Sequence, residues 1–202
     1  NDVIRAGFGK FEQDQVQGNN QIEVTWRRSV LGRDNTFVVG GDGERLNFKR
    51  YVTQWPGITS AVSLFVSDPG SYPTTGAVTT QAQKNLVNRY SIFAEDRLEV
   101  TRAFSLVGGV RYDRQWVHRI DLVTAIKTQV DRTYTPVNWR VGAVYKIVRN
   151  TNLYAQYSKA TDAISNVCCI TAPQMLFNPS RGQQIEAGIK QSRRGGRLEW
   201  TL

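Results

Sequence analysis

The sequence lacks long apolar runs. None approaches the roughly 18 residues that a membrane-spanning helix requires. The first residues, NDVIRAGFGK, also lack the basic-then-apolar pattern of a signal peptide. No long window places apolar residues at i, i+3, i+4 and i+7, whereas Thr and Val are common and aromatic residues make up 10% of the chain. These features argue against a helical protein and favour an all-β fold.

Histidine and cysteine are scarce, which limits the chemistry that the chain can support. His118 is the only histidine, so a Ser/His/Asp or Cys/His arrangement has a single candidate base. Cys168 and Cys169 are adjacent, with no Cys or His cluster at metal-ligand spacing, which favours a disulfide or loop constraint over a metal site. The glycines of GGDGE (40–44) and RRGGR (193–197) open no helix after a strand, so we interpret them as strand glycines and a turn. We expect no catalytic centre, no bound metal and no cofactor.

The chain has fewer acidic than basic residues. Lys and Arg number 26 against 17 Asp and Glu, which gives a formal net charge of +9 and favours anionic partners such as nucleic acid, lipopolysaccharide or an acidic ligand. A nucleic-acid-binding β-domain requires a clustered basic face with exposed aromatic residues. Here Lys and Arg are scattered along most of the predicted strands, so we expect no nucleic-acid partner.

Alternating apolar and polar residues predict four β-hairpins joined by long polar segments. Residues 1–14 are predicted to hold an earlier strand. The long segments cover 52–87, which contains Pro56, Pro69 and Pro73, the region around IDLVTAIKTQVDRTYTP, and 163–182. The predicted hairpins join QIEVTWRRSV to TFVVGGDGERLNFKRY, NRYSIFAEDRLEV to FSLVGGVRYDRQW, VNWRVGAVYKI to TNLYAQYSK, and QQIEAGIKQS to RLEWTL.

Short turns and long connections alternate along the chain, so an antiparallel meander places all short turns at one end of the sheet. Outer-membrane barrels have this asymmetry, together with strands that alternate apolar outward and polar inward. Trp139, Val141 and Tyr145 share one parity, whereas Arg140 and Lys146 share the other. A soluble sandwich shows the same alternation with the sides exchanged. The loop asymmetry and the aromatic residues near strand ends favour the membrane barrel; these aromatics are Trp26, Tyr112, Trp116, Trp139 and Tyr157.

Three segments resemble the barrel of TonB-dependent outer-membrane receptors of the ferric siderophore type. They are YSIFAEDRLEVTRAFSLVGGVRYDR, VNWRVGAVYKIVRNTNLYAQYSKA and NPSRGQQIEAGIKQSRRGGRLEWTL. Their order and spacing match the family over about residues 88–202, and 21–51 fits less distinctively as an earlier hairpin. The matching positions are Glu95, Asp96, Gly109, Arg111, Tyr112, Asp113, Gly142, Tyr145, Asn152, Tyr154, Tyr157, Ser158, Pro179, Gly182, Glu186, Gly188 and Lys190.

The resemblance implies a partial transmembrane barrel. We expect residues 1–202 to be one antiparallel up-and-down domain of about eight to nine strands, without the plug domain, from the later part of a 22-stranded barrel. Short turns would be periplasmic and long loops extracellular, in the outer membrane of a Gram-negative bacterium. The implied function is uptake of ferric siderophores, with no enzymatic activity. The implied partners are outer-membrane lipid and lipopolysaccharide, the siderophore, and the TonB–ExbB–ExbD complex reached through the missing N-terminal region.

Two groups of site residues follow from the resemblance. In the predicted extracellular loops, aromatic and cationic side chains are candidates for binding an anionic chelate: Trp55, Tyr72, Lys84, Phe177 and Arg181. Charged side chains expected to face the lumen are interpreted as an inter-strand ladder that also contacts the plug: Arg111, Asp113, Arg140, Glu186 and Lys190.

Two alternatives to siderophore uptake stay open within the barrel interpretation. One is a TonB-dependent receptor for another nutrient, such as vitamin B12, haem or a carbohydrate. The other is a passive porin-like barrel, which would lack a plug and show a constriction loop folded into the pore.

Overall fold

The computed structural model describes residues 2–63, 65, 73–123, 127–162, 171–193 and 198–202. These residues form antiparallel strands and one short 3₁₀ turn at Gln174–Leu176. No helix among them is long and apolar enough to cross a membrane. The strands are β1 (Asp2–Ala6), β2 (Gly9–Val30), β3 (Arg33–Gln54), β4 (Thr59–Ser63), β5 (Val78–Glu99), β6 (Phe104–Asp121), β7 (Thr128–Tyr134), β8 (Val137–Val148), β9 (Thr151–Thr161), β10 (Arg181–Arg193) and β11 (Leu198–Thr201).

Nine of these strands form one open sheet in an up-and-down order. Its path is β11-β10-β9-β8-β6-β5-β3-β2, and β7 pairs with the far end of β6. β1 and β4 form a separate two-stranded sheet. The predicted all-β fold, the antiparallel meander and the strand number are therefore confirmed for the described residues.

The connections alternate in length as the sequence predicts. β2 and β3 are joined by Leu31 and Gly32, both at positive φ, and β8 and β9 are joined by residues 149–150. At the opposite end, longer connections join β3 to β5, β6 to β8 and β9 to β10. We call these the short-turn end and the long-loop end of the sheet.

Several strands are longer than the sequence patterns indicate. The predicted connection 52–87 is shorter than expected, because 52–54 continue β3, 59–63 form β4 and 78–87 belong to β5. Val, Thr and Gln in VTTQAQ suit an extended pairing partner, and a bulge between Arg50 and Tyr51 lets β3 and β5 remain paired. The GGDGE glycines lie inside β3, as predicted, and Phe93 of β5 packs so closely on Gly40 that a Cβ there would lie 2.5 Å from its ring.

The two faces of the sheet differ sharply in chemistry. On one face, Val141, Tyr145 and Ile185 are exposed, and Ile185 is 82% accessible. Strand alternation places Arg140 and Glu186 on the opposite face. We call the first the apolar face and the second the polar face. An exposed apolar face is the reverse of a soluble sandwich, in which these side chains would lie between two sheets.

The polar face is concave. A pocket of about 380 Å³ is lined by Gln21 of β2 together with Asn138 of β8 and Ser158 of β9. Five strand-to-strand steps separate β2 from β9 along the sheet, which is roughly 24 Å for a flat sheet. Side chains from both strands can line one pocket only because the sheet curls around its polar face, as a barrel wall does.

Candidate functional site: the polar face and its long-loop end

A hydrogen-bonded network occupies the centre of the polar face. The Asp113 carboxylate accepts hydrogen bonds from Ser91 Oγ at 2.6 Å, Arg111 Nε at 2.8 Å and Asn138 Nδ2 at 3.0 Å. Arg111 also pairs with Asp42 at 2.8 Å. These residues come from β3, β5, β6 and β8, so one carboxylate and one guanidinium join four neighbouring strands.

The network extends to β9 through a side chain that accepts as well as donates. Asn138 Oδ1 accepts a hydrogen bond from the backbone N–H of Thr161 at 2.7 Å. Because Asn138 donates to Asp113 at the same time, its amide is satisfied on both sides. The end of β9 is thereby tied to the central network.

Two further ion pairs lie on this face, one on each side of the network. Arg140 of β8 donates from Nε to Glu95 of β5 at 2.9 Å, across the intervening β6. Arg89 of β5 pairs with its direct cross-strand partner Glu44 of β3. Pairs between neighbouring and next-neighbouring strands form the ladder that the sequence predicts for Arg111, Asp113 and Arg140.

A second cluster joins β9 to β10. Glu186 accepts hydrogen bonds from Tyr154 Oη and Gln156 Nε2, each at 2.9 Å. The Lys190 ammonium lies 4.9 Å from the centre of the Tyr154 ring. Tyr154 lies across Gly188, where a Cβ would come within 2.7 Å of the Tyr154 hydroxyl. The structure thus places all five predicted lumen residues on the polar face, and contact with a plug stays a prediction.

A chain segment folds onto the polar face at the long-loop end. Met175, in the connection between β9 and β10, is fully buried. It packs in an apolar cluster with residues from β3, β5, β6 and β7: Leu46, Val87, Val117 and Tyr134. We call the segment 171–177 the cap. It covers the wall of the sheet beside the long-loop opening.

Polar contacts hold the cap against β7. Tyr134 Oη donates to the Met175 carbonyl at 2.6 Å, and Arg132 Nη2 lies 3.5 Å from the Leu176 carbonyl. Burial raises the pKa of Tyr134, which keeps its hydroxyl protonated and able to donate. Within the cap, Gln174 Oε1 accepts from the backbone N–H of Thr171 at 2.7 Å. With Met175 anchored in this way, Leu176 and Phe177 are left exposed.

The predicted ligand-binding residues do not form one cluster in the structure. Phe177 is exposed at the end of the cap, whereas Trp55 is buried just after β3. Lys84 is part of β5, and both it and Arg181 are on the apolar side by strand alternation. Tyr72 lies outside the described residues. Their role in ligand binding stays a prediction.

The remaining sequence candidates are separate from the polar face. His118 lies on the apolar side, where its ring stacks on Trp116 at 5.6 Å between ring centres. Its Nδ1 lies 2.7 Å from the Asp131 carboxylate, and this hydrogen bond lowers the pKa of Asp131. Among the described residues, no group of His, Cys, Asp and Glu could hold a metal ion. Cys168 and Cys169 lie outside the described residues.

Sequence reasoning missed the cap and three of the five residues of the central network. Asp42 lies 69 residues from Arg111, and no local pattern joins them. Ser91 and Asn138 are small polar residues whose parity alone assigns them to the polar side. Met175 is the only methionine of the chain and lies in a predicted loop, but Leu176 and Phe177 follow it directly, so no local pattern singled out Met175 as the buried residue.

Comparisons with known proteins agree with this architecture. The family model described as TonB dependent receptor-like, beta-barrel matches residues 3–202. The catecholate siderophore receptor Fiu of Escherichia coli O6:H1 is 29% identical over 199 residues, covering 77% of this chain and 26% of the relative. The chain therefore spans about a quarter of that relative's length.

Solved structures show the same fold. The siderophore receptor PiuA from Acinetobacter baumannii superimposes with a TM-score of 0.80 at 18% identity, over 95% of this chain and 31% of that one. The ferripyoverdine receptor of Pseudomonas aeruginosa, solved with ferripyoverdine bound, gives 0.77 at 20% identity, over 96% and 25%. At these identities the likeness supports the fold alone.

Proposed function

This chain belongs to the TonB-dependent receptor-like β-barrel family, and we propose that the protein containing it takes up ferric siderophores across the outer membrane with energy delivered through TonB. Its place is the outer membrane of a Gram-negative bacterium. The strands form part of an antiparallel up-and-down barrel whose short turns are periplasmic and whose long connections are extracellular. The family consists of receptors, and we propose no enzymatic activity for this one.

One observation carries the proposal: a concave polar wall backed by an apolar face, in a chain of this family. Charged side chains facing inward are tolerated where water or a polar domain fills the interior, and hydrocarbon-facing positions must be apolar. The choice of siderophore rests on the relatives, which are named as siderophore receptors. A siderophore encloses its iron in organic donors, so the barrel need supply neither metal ligands nor a cofactor.

The described residues divide into two roles under this proposal. The ladder of the polar face, including Arg111, Glu186 and Lys190, packs against a plug domain supplied by the rest of the protein. The long-loop end holds the ligand, with Phe177 on the cap as an exposed aromatic contact. Coupling to TonB, ExbB and ExbD takes place through a region outside this chain, and no nucleic acid is involved.

A passive pore is the second candidate, because the cap folds onto the polar face as a constriction loop would. In a passive pore, this segment would narrow a permanently open channel. In a receptor, it shapes the ligand entrance above a plug. Family membership favours the receptor.

Uptake measurements separate these two functions. The complete protein would be produced in a strain lacking its own siderophore receptors, and entry of iron-55 siderophores would be followed with and without a protonophore. We expect accumulation that stops when the proton gradient is collapsed. Gradient-independent uptake would reject the receptor in favour of the passive pore. Uptake of haem, vitamin B12 or a carbohydrate instead of siderophores would reject the proposed substrate class.

A further inference from the structure

The inward side of β2 carries an unbroken row of side-chain amides. Gln21 lines the pocket on the polar face, and strand alternation places every second residue before it on the same side. We call these five residues the amide row: Gln13, Gln15, Gln17, Asn19 and Gln21. At about 3.4 Å per residue the row is roughly 27 Å long, with neighbouring amides about 7 Å apart.

The amide row borders the ion-pair ladder without joining it. Register places Asn19 opposite Glu44 and Gln21 opposite Asp42. Both carboxylates are already paired with arginines of β5 and β6, which lie on the far side of β3 from the row. The inward wall therefore changes from charged to neutral between β3 and β2.

The amides of the row are largely unengaged. Gln15 Nε2 lies 3.4 Å from Gln17 Oε1, which is a long contact for a hydrogen bond. Within the described ranges, Gln13, Asn19 and Gln21 make no side-chain hydrogen bond. Each amide has two donor hydrogens and an acceptor oxygen. The row thus offers both kinds of partner to a solute inside the complete barrel, and no fixed charge.

Charged residues mark the two ends of the row. At the long-loop end, Arg50 is the cross-strand partner of Gln13, and its guanidinium carbon lies 4.4 Å from the centre of the Phe11 ring. Arg50 Nε is shielded from solvent, and Arg50 makes no ion pair with any described residue. At the other end, Glu23 is the next inward residue after Gln21. An anionic solute is attracted to the Arg50 end and meets no fixed charge on β2 before Glu23.

Neutral amides suit movement better than an ion-pair ladder does. Passage along a wall requires binding that is favourable enough for entry and weak enough for release at each step. Hydrogen bonds to ionised groups are roughly twice as strong as neutral ones, so a charged wall would retain an anionic solute. An amide can donate to the oxygens of the solute, and the next amide is only about 7 Å further along the strand.

We propose that the amide row is the path along which the ferric chelate moves down the inside of the barrel, from the long-loop end towards the periplasm. This inference rests on the proposed function and adds the route to it. The chelate passes along β2, while the ladder on β3 to β10 holds the strands together. A chelate with several surface oxygens contacts two amides at a time, so it is handed from one to the next.

Transport kinetics of the complete protein test this route. In the receptor-deficient strain, energised uptake of an iron-55 tris-catecholate siderophore would be measured over a range of concentrations, with equilibrium binding to de-energised cells in parallel. We expect Gln15→Leu/Gln17→Leu/Asn19→Leu to lower the maximal uptake rate at least tenfold, because leucine offers the solute no hydrogen bond over three consecutive steps. The dissociation constant should stay within twofold of the parent. Folding would be checked by the heat-dependent shift in electrophoretic mobility.

Two further variants separate the amide chemistry from packing. Gln15→Asn/Gln17→Asn/Asn19→Gln keeps an amide at every step and should retain most of the rate. Asn20→Leu is the matched control on the same strand. Asn20 lies between Asn19 and Gln21 but on the apolar side, where leucine suits a lipid-facing position, so uptake should be unchanged.

The outcomes distinguish the route from the function on which it rests. An unchanged maximal rate in the leucine triple variant would overturn the route, as would an equal loss in the amide-keeping variant or in Asn20→Leu. A raised dissociation constant at an unchanged maximal rate would make the amides a binding site and would also overturn it. Parent cells that show no energised uptake of this or any other siderophore would overturn the proposed function, and the route with it.

Discussion

Replacing Asp113 with alanine is expected to lower the free energy of unfolding of the complete barrel by about 3 kcal/mol. The carboxylate accepts hydrogen bonds from Ser91, Arg111 and Asn138, which lie on three adjacent strands. Without this carboxylate, the Arg111 guanidinium, the Ser91 hydroxyl and the Asn138 amide each lose a hydrogen-bond acceptor on a largely shielded face. Urea unfolding of the protein in lipid vesicles, followed by tryptophan fluorescence, measures the change.

Asp131, on the opposite face of the sheet, supplies the control for this experiment. It bonds His118 on the other side of the sheet, and its side chain is 47% exposed. Exposed pairs contribute little, so Asp131→Ala should cost at most about 0.5 kcal/mol. An equal effect of the two substitutions would show that the central network has no special role in holding the strands together.

Replacing Met175 with alanine should release the cap from the wall of the sheet. Met175 is fully buried against Val117 and Tyr134, and truncating a buried methionine costs about 2 to 5 kcal/mol. Because this short segment has few other contacts, the lost free energy mainly shifts the equilibrium between the docked and the undocked cap. When intact cells are treated with chymotrypsin, we expect the protein to be cleaved after Phe177 at least tenfold faster in Met175→Ala than in the parent. The cleavage rate follows the population of the open segment.

Leu176→Ala is the matched substitution for the cap. Leu176 is next to Met175 but 63% exposed, so its truncation should leave the cleavage rate unchanged. Siderophore affinity should fall in Met175→Ala and be retained in Leu176→Ala if the cap shapes the ligand entrance. A cleavage rate unaffected by Met175→Ala would mean that the apolar cluster does not hold the segment in place.

Strand parity made the two faces of the sheet predictable. Arg140 and Val141 are adjacent in sequence and must lie on opposite sides of any strand. The chain fixes the pattern locally, so Trp139, Val141 and Tyr145 could be grouped without a structure. Alternation alone is the same in a soluble sandwich. The unequal lengths of the connections indicated which side of the sheet meets lipid.

Long-range contacts were not predictable in the same way. Arg111 meets Asp42 across two strand pairings whose register depends on the entire β3–β5 alignment. Met175 reaches Val117 over a separation of 58 residues through a loop whose path no local pattern specifies. Lys84 appeared to belong to a loop because prolines at 56, 69 and 73 dominate the segment before it, whereas pairing with β3 extends the strand to 78.

The most direct test of the account is which side of β10 meets lipid. Single cysteines at positions 184 to 187 and 189 of the complete protein, with Cys168 and Cys169 replaced by serine, would carry spin labels in native-like membranes. We predict that accessibility to oxygen, which concentrates in hydrocarbon, peaks at 185, 187 and 189 and is low at 184 and 186. The reverse alternation, with 185, 187 and 189 shielded and 184 and 186 in contact with lipid, would contradict the account.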